Sequence, residues 1–320
     1  MEELASLQDY ISAMEQVFEM HSKGKSIGTE MLHFDAANDL EFHLKAGGIN
    51  LGDKTYFGLK INGASFHNME KYGLPNIIGA ILLFDGECGY PLAIVDSIQV
   101  TIMRTGATTA VAAKYLARKE SKIATICGTG NQGRIQLQSI KEVLPLEKAY
   151  AYDMDFASSK AFSTEMSKKL DIEVIPVREV NDAASKSDVI ITCTPSKKPY
   201  ILADYIQPGT FIGAIGADSP DKQEIDEKLL VGNKVVVDIL DQCAKVGELH
   251  HGIEKQLVTK DDVAGELGDV ISGKVKGRSN DEEITIYDAT GTALQDTAAA
   301  AMCYKKAVEK NLGIEINLYE

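Results

Sequence analysis

The stretch from Lys122 to Asp153 has the residue types and spacing to hold a dinucleotide. A short apolar run, Ile123 to Cys127, enters Gly128-Thr-Gly-Asn-Gln-Gly133 and then a helical stretch beginning at Arg134. Gly128 permits a tight turn, Gly130 lets the backbone approach a pyrophosphate, and Gly133 lets helix and strand pack closely, while free N–H groups at the helix start face the anion. A second apolar strand, Ala149 to Tyr152, ends in Asp153, 25 residues after Gly128. A carboxylate there accepts hydrogen bonds from an adenosine ribose and repels a 2′-phosphate, which favours NAD over NADP. A glycine-rich turn alone carries little weight, but here strand, helix, second strand and acid stand in order.

Other residues could handle a charged substrate. Arg104, in Thr101-Ile-Met-Arg-Thr-Gly-Ala107, is expected near the start of a helix, where the dipole disfavours a cation. A bound carboxylate would explain that placement; a surface arginine or an internal ion pair is the plainer alternative. The small residues after it suggest close packing. Lys60 is read as closing the apolar strand Tyr56-Phe-Gly-Leu-Lys60, with little route to solvent. A buried lysine loses proton affinity and can act as acid or base near neutrality, although most lysines at strand ends are exposed.

Asp218 follows the apolar run Phe211 to Ala217. At the carboxyl end of a parallel strand it would face a bound nicotinamide, or it would cap a helix begun by Ser219-Pro220. Strand alternation puts His43 and Lys45 on one face, as further cations for a substrate carboxylate or as a solvated face. Thr194, after the strand Val189 to Cys193, belongs to the cofactor crevice by position. His250-His251 reads as a solvated loop without an acid or cysteine at ligand spacing, and no metal site is expected.

These residues need a scaffold, and from Lys122 to Asp288 short apolar strands alternate with helical stretches, as in a doubly wound parallel sheet. The expected strands are Ile123 to Cys127, Lys148 to Tyr152, Glu173 to Val177, Val189 to Cys193, Thr210 to Ile215 and Lys234 to Val237. Each is apolar nearly throughout, which suits a strand buried on both faces. Before Lys122 the pattern changes to strands at Glu30 to Phe34, Leu40 to Ala46, Thr55 to Ile61, Ile77 to Asp85 and Leu92 to Ser97, joined by turns rather than helices. Hairpins in an antiparallel sheet follow, with Asp85 to Gly89 as one tight connection. Helices are expected near residues 4–23, 101–119 and 294–310. The last returns to the first domain, so the expected division is 1–119 plus 292–320 against 120–291. The fold class is α/β, a Rossmann doubly wound sheet plus a discontinuous α+β domain.

Composition narrows the function. The chain has 320 residues, 44% hydrophobic and 25% charged, as in folded globular proteins. A net charge of −14 argues against nucleic acid or an anionic membrane as partner. The five scattered cysteines read as reduced thiols, the longest apolar run, Ile77 to Phe84, is too short to cross a bilayer, and the acidic start lacks a signal peptide's basic residues. A soluble, cytoplasmic protein is expected.

Four separated segments resemble the ornithine cyclodeaminase/mu-crystallin family over nearly the whole chain. They are Phe57-Gly-Leu-Lys60 with Gly73-Leu-Pro75, Arg104 to Ala107 with Ala112 to Arg118, Gly216 to Glu224, and Asp281 to Gly291. Within the family they look most like the archaeal alanine dehydrogenases. The resemblance implies that Lys60 and Arg104 bind the substrate carboxylate, with Gly291 also at the substrate, and that Asp218 is catalytic together with Lys60. It implies NAD contacts from Asn76, Arg104, Gly128, Gly130, Asn131, Gln132, Gly133, Asp153, Thr194, Ile215, Gly216, Lys222 and Thr290, and a homodimer joined through the first domains. One departure stands out: family members carry an arginine on an N-terminal strand, and no arginine precedes Arg104 here. Lys45 or His43 would take its place, a point charge or a ring instead of a two-pronged fork.

The shared chemistry of the family is hydride transfer from a substrate α-carbon to nicotinamide, giving an imine. Hydrolysis of that imine makes an NAD-dependent amino-acid dehydrogenase, the favoured expectation, acting on a small L-amino acid. Attack by a side-chain amine would make ornithine cyclodeaminase, a lyase that recycles its NAD, and imine reduction alone would make a cyclic ketimine reductase.

Overall fold

Strands joined by turns in the N-terminal third, and short apolar runs alternating with helices in the middle, sort this chain into two kinds of sheet. The computed structural model describes residues 4–36, 40–65 and 67–318. The chain divides into two compact units, Met1–Arg104 with Thr292–Glu320, and Thr105–Gly291.

The first unit opens with helix α1 (Leu7–Ser22), started by a capping box between Ser6 and Asp9, followed by strands β1 (Ser26–Asp35), β2 (Glu41–Asn50) and β3 (Thr55–Ala64). A short helix α2 (Asn68–Tyr72), then β4 (Ile77–Asp85) and β5 (Pro91–Asp96), complete an antiparallel sheet in the order β1-β2-β3-β4-β5. The β4–β5 hairpin turns at Gly89, whose φ of 74° suits glycine. Strand β3 runs four residues beyond Lys60, so Lys60 lies mid-strand rather than at a strand end. Helix α3 (Ser97–Leu116) starts four residues before the expected Thr101. Arg104 therefore sits beyond the first helical turn, and the dipole does not act against it there.

The second unit alternates β6 (Ile123–Cys127), α4 (Asn131–Val143), β7 (Lys148–Tyr152), α5 (Phe156–Leu170), β8 (Glu173–Val177), α6 (Val180–Ala184) and β9 (Val189–Thr192). After β10 (Lys197–Ile201) come β11 (Phe211–Ala214), β12 (Gln223–Ile225), β13 (Lys234–Val237), α7 (Leu240–Val246), α8 (Glu248–Glu254), β14 (Gly265–Glu266), α9 (Leu267–Ile271) and β15 (Thr285–Asp288). Eight of these strands form a parallel sheet in the order β14-β13-β15-β11-β9-β6-β7-β8, and β10 pairs with β12 apart from it. The order reverses between β6 and β9, the place where open α/β sheets bind ligands at their carboxyl ends. Gly106 lets α3 approach α4, since a Cβ there would lie 2.6 Å from Ser139 Oγ.

The final helix, α10 (Ala293–Glu309), belongs to the first unit and packs on its sheet. Glycines make room for it: a Cβ on Gly58 would lie 2.3 Å from Thr297 Oγ1. Ala298 to Ala301 are buried, so the alanine run is a packing face. His250 and His251 lie on α8 rather than in a loop, and Glu254 stands one turn after His250, so an acid does lie at ligand spacing. Among the described residues, no helix is long and apolar enough to cross a membrane.

Candidate functional site

In the first unit, antiparallel pairing places Lys45 of β2 directly opposite Lys60 of β3. Opposed residues share a sheet face, so two lysines stand side by side on it. Both are buried, at 7% and 3% exposure, and Arg104 is 5% exposed. What keeps these cations inside is Asp296 of α10. Its carboxylate lies 2.6 Å from Lys60 Nζ and accepts a 2.9 Å hydrogen bond from Arg104 Nε, while Arg104 also donates to Gln295 Oε1 at 3.2 Å. Arg104 is thus an internal ion-pair partner, as its plainer reading allowed.

The electrostatics follow. Burial pushes the Lys60 ammonium down to about 7; Asp296 opposes that shift, while Arg104 and Lys45 add to it. For Asp296, burial acts upward, but Arg104, Lys60 and Lys45 outweigh it and hold the carboxyl below its usual range. Sequence reasoning missed Asp296. The available signal was a Gln-Asp pair inside an otherwise small and apolar helix. His43 is not drawn into this group. It shares the face of Lys45, but its ring lies against His33 and Glu41.

In the second unit, the parallel topology brings the predicted loop residues to one edge of the sheet. Gly128, with φ of 97°, starts the turn after β6, and a Cβ on Gly133 would lie 2.0 Å from the Gly128 carbonyl oxygen. Gly130 caps α4 with open space where a side chain would be, and Asn131 and Gln132 form the first turn. Asp153, after β7, accepts from the Thr129 N–H and hydroxyl at 2.9 and 2.8 Å, bracing the glycine-rich turn. Thr194 follows β9, Ile215 and Gly216 follow β11, and Thr290 and Gly291 follow β15. Asn76 belongs to the first unit, is exposed, and accepts the Ser65 N–H through its carbonyl.

Asp218 lies in the irregular segment between β11 and β12, which holds no helix for it to cap; Lys222 Nζ donates to it at 2.6 Å. Burial alone would lower the Lys222 ammonium, but Asp218 reverses the sign and raises it.

A buried acidic scaffold beneath this edge was not foreseen. Glu224 accepts from the Thr194 N–H and hydroxyl, both at 2.6 Å, from Tyr200 at 2.8 Å and from the Gly216 N–H at 2.8 Å, tying the ends of β9 and β11 together. Glu248 accepts the Glu224 N–H, and Asp288 accepts the N–H groups of Glu248 and Leu249. Asp238 accepts the Thr290 and Gly291 N–H groups. Burial pushes Asp288 up to about 7 and raises Glu224 and Glu248.

A buried group of cations on a helix-backed antiparallel sheet, and a glycine-rich parallel-sheet edge, are the features to compare with known proteins. The profile of the ornithine cyclodeaminase/mu-crystallin family matches residues 1–311. The chain belongs to that family. An alanine dehydrogenase of Archaeoglobus fulgidus is 37% identical over 322 residues, spanning 99% of this chain and 96% of the relative. A solved archaeal alanine dehydrogenase dimer with bound NAD superimposes with a TM-score of 0.92 at 36% identity, covering 99% of this chain and 97% of that one. The Thermococcus litoralis Δ1-pyrroline-2-carboxylate reductase, solved with NADH and L-proline, gives a TM-score of 0.91 at 33% identity, covering 98% and 97%. For this family member, the eight-stranded parallel sheet is the Rossmann-like fold of its relatives.

Proposed function

We propose that this protein is an NAD-dependent oxidoreductase that oxidises the α-carbon of a small L-amino acid to an imine and releases ammonia as the imine is hydrolysed. The observation that carries the reading is the buried group of Lys45, Lys60 and Arg104 around Asp296. Lys45, Lys60 and Arg104 all act electrostatically on the one carboxylate of Asp296, and the carboxylate of an amino acid would be a second anion for the same group, beside the carbon to be oxidised. The glycines at 128, 130 and 133 fit a dinucleotide: the turn has the required φ, the helix start is open, and helix and strand touch where a side chain would clash. NAD, when bound, supplies the acceptor for the hydride.

The chain's residues divide the remaining work. Arg104 and Lys45 hold the substrate carboxylate, which fixes which hydrogen is presented and removes much of the entropic barrier. Lys60, with a proton affinity near neutrality, takes a proton from the substrate ammonium, leaving the amine lone pair to assist departure of the hydride. Asp218 takes a proton from the water that adds to the imine carbon, with Lys222 holding its carboxylate. Asp153 receives the adenosine ribose, and Asn131, Gln132, Thr194, Ile215, Gly216 and Thr290 line the cofactor. Gly291 approaches the substrate through its backbone. We assign substrate binding and dimerisation to the first unit and NAD binding to the second, and place a homodimer in the cytoplasm. The archaeal dimer and the free cysteines support these assignments.

The similarity to the pyrroline-2-carboxylate reductase favours a second reading, reduction of a cyclic imine. One assay decides. The protein is incubated with NAD and a panel of amino acids, following NADH and ammonia together, and separately with NADH and cyclic imines. Ammonia matched by NADH is expected. Ammonia without net NADH would make the protein a cyclodeaminase, NADH consumption with cyclic imines alone would make it a reductase, and no turnover in either arm would refute the oxidoreductase reading.

A further inference from the structure

Cross-strand pairing puts four ligand-type residues at the outer end of the β1–β2 ladder. His33 lies opposite His43, and Asp35 lies opposite Glu41. Positions two apart on a strand share a face, so all four side chains emerge together. The two imidazoles approach edge-on with centroids 4.5 Å apart, and their Nδ1 atoms are 3.4 Å apart. Each opposite ring nitrogen meets a carboxylate: His33 Nε2 lies 2.9 Å from Asp35 Oδ1, and His43 Nε2 lies 3.1 Å from Glu41 Oε2.

The carboxylate beside each Nε2 favours the tautomer that carries its proton there. A ring that donates Nε2–H to a carboxylate carries its lone pair on Nδ1. Two such rings bring two Nδ1 atoms to 3.4 Å, a contact in which either a proton or a metal cation must lie between them. With metal–nitrogen bonds of about 2.0–2.1 Å, a tetrahedral ion needs its two nitrogens about 3.3–3.4 Å apart, the separation seen here. A carboxylate behind each ligating histidine is also the usual way that such ligands are oriented and made more basic. Two carboxylates balance a dication. The side chains are at least partly exposed, so an ion can enter and water can complete its shell.

We propose that the outer end of β1 and β2 binds a divalent ion of the zinc class through Nδ1 of His33 and of His43, with Asp35 and Glu41 orienting the rings. The site clips the edge strand β1 to its neighbour. Its residues are distinct from the Lys45, Lys60, Arg104 and Asp296 group, and the inference does not rest on the proposed reaction.

The test uses the full chain, stripped with chelator, titrated with zinc chloride by calorimetry and followed by thermal melting. One equivalent is expected to bind and to raise the melting temperature. His33→Ala should weaken binding at least tenfold, and Asp35→Asn should weaken it by about 10-fold or more, with circular dichroism confirming that both variants fold. The double variant His250→Ala/His251→Ala, which removes the histidines of α8, should bind zinc as the parent does. Cobalt in place of zinc should give visible absorption bands that His33→Ala loses. The proposal is overturned if the parent binds no zinc, if its affinity is unchanged in His33→Ala, or if the double variant is the one that loses the ion. Melting unmoved by zinc, with the two imidazoles titrating as a proton-sharing pair by NMR, would also overturn it.

Discussion

In the first unit Lys60, Arg104 and Asp296 are buried as opposite charges facing one another, whereas in the second Glu224, Glu248, Asp238 and Asp288 are buried as like groups facing backbone N–H donors. Burial is equally deep in both. In the cation group, mutual attraction keeps Asp296 ionised while leaving Lys60 poised near neutrality. In the acidic group, desolvation pushes Glu224, Glu248 and Asp288 upward, and their hydrogen bonds hold strand ends in place. On the proposed function, the difference separates a reactive arrangement from a scaffold. A perturbed proton affinity marks a functional group only where something can still be bound or exchanged there.

The largest effect that would break this contrast comes from Lys60→Met. Loss of a general acid or base costs about 10²–10⁴ in rate, so kcat should fall by that range while NAD affinity, read by fluorescence titration, stays within threefold. A variant with near-normal kcat would put Lys60 among the merely structural residues.

Next come two acid-to-amide changes of equal size. Asp296→Asn strands two buried cations and should cost about 3–5 kcal/mol in urea unfolding, together with activity. Glu224→Gln leaves one face of its hydrogen-bond set mismatched and should cost about 1–3 kcal/mol, with kcat per folded molecule retained. Equal losses of activity in the two would erase the distinction between site and scaffold.

The smallest effect sharpens the contrast through pH. Between pH 7 and 10.5 the unfolded chain holds the Lys60 proton and the folded chain does not, so this group makes stability rise with pH across that window. For Asp288 the folded chain keeps a proton between pH 3.8 and 7 that the unfolded chain has lost, so its contribution falls as pH rises. Melting curves at fixed ionic strength should therefore lose part of the alkaline rise in Lys60→Met and part of the acidic fall in Asp288→Asn.

Much of this molecule could be read from its sequence, for identifiable reasons. The six parallel strands expected from the sequence are visible there because a strand buried on both faces must be apolar throughout, and the glycine turn because its φ and close approach admit little else. β15 was hidden because Thr285 and Asp288 leave it only Ile286 and Tyr287 as apolar residues, and β10 by Lys197-Lys198-Pro199, which reads as loop. Lys60 and Arg104 could be singled out as cations in apolar surroundings. Their partner Asp296 could not be paired with them, because it lies 192 residues after Arg104 and only the return of α10 brings it there. The same limit hid the His33–His43 pair, which exists only in the register of two strands.

If the buried cations grip the carboxylate of an amino acid, turnover must depend on the charge of that group. Initial rates with NAD are compared for L-alanine and L-alaninamide, which differ only in that group, using the parent and Arg104→Met. The parent should favour the acid by about 10³ or more in kcat/KM, and Arg104→Met should lose most of this preference. Equal turnover of acid and amide by the parent, or a preference that survives the substitution intact, would contradict that grip.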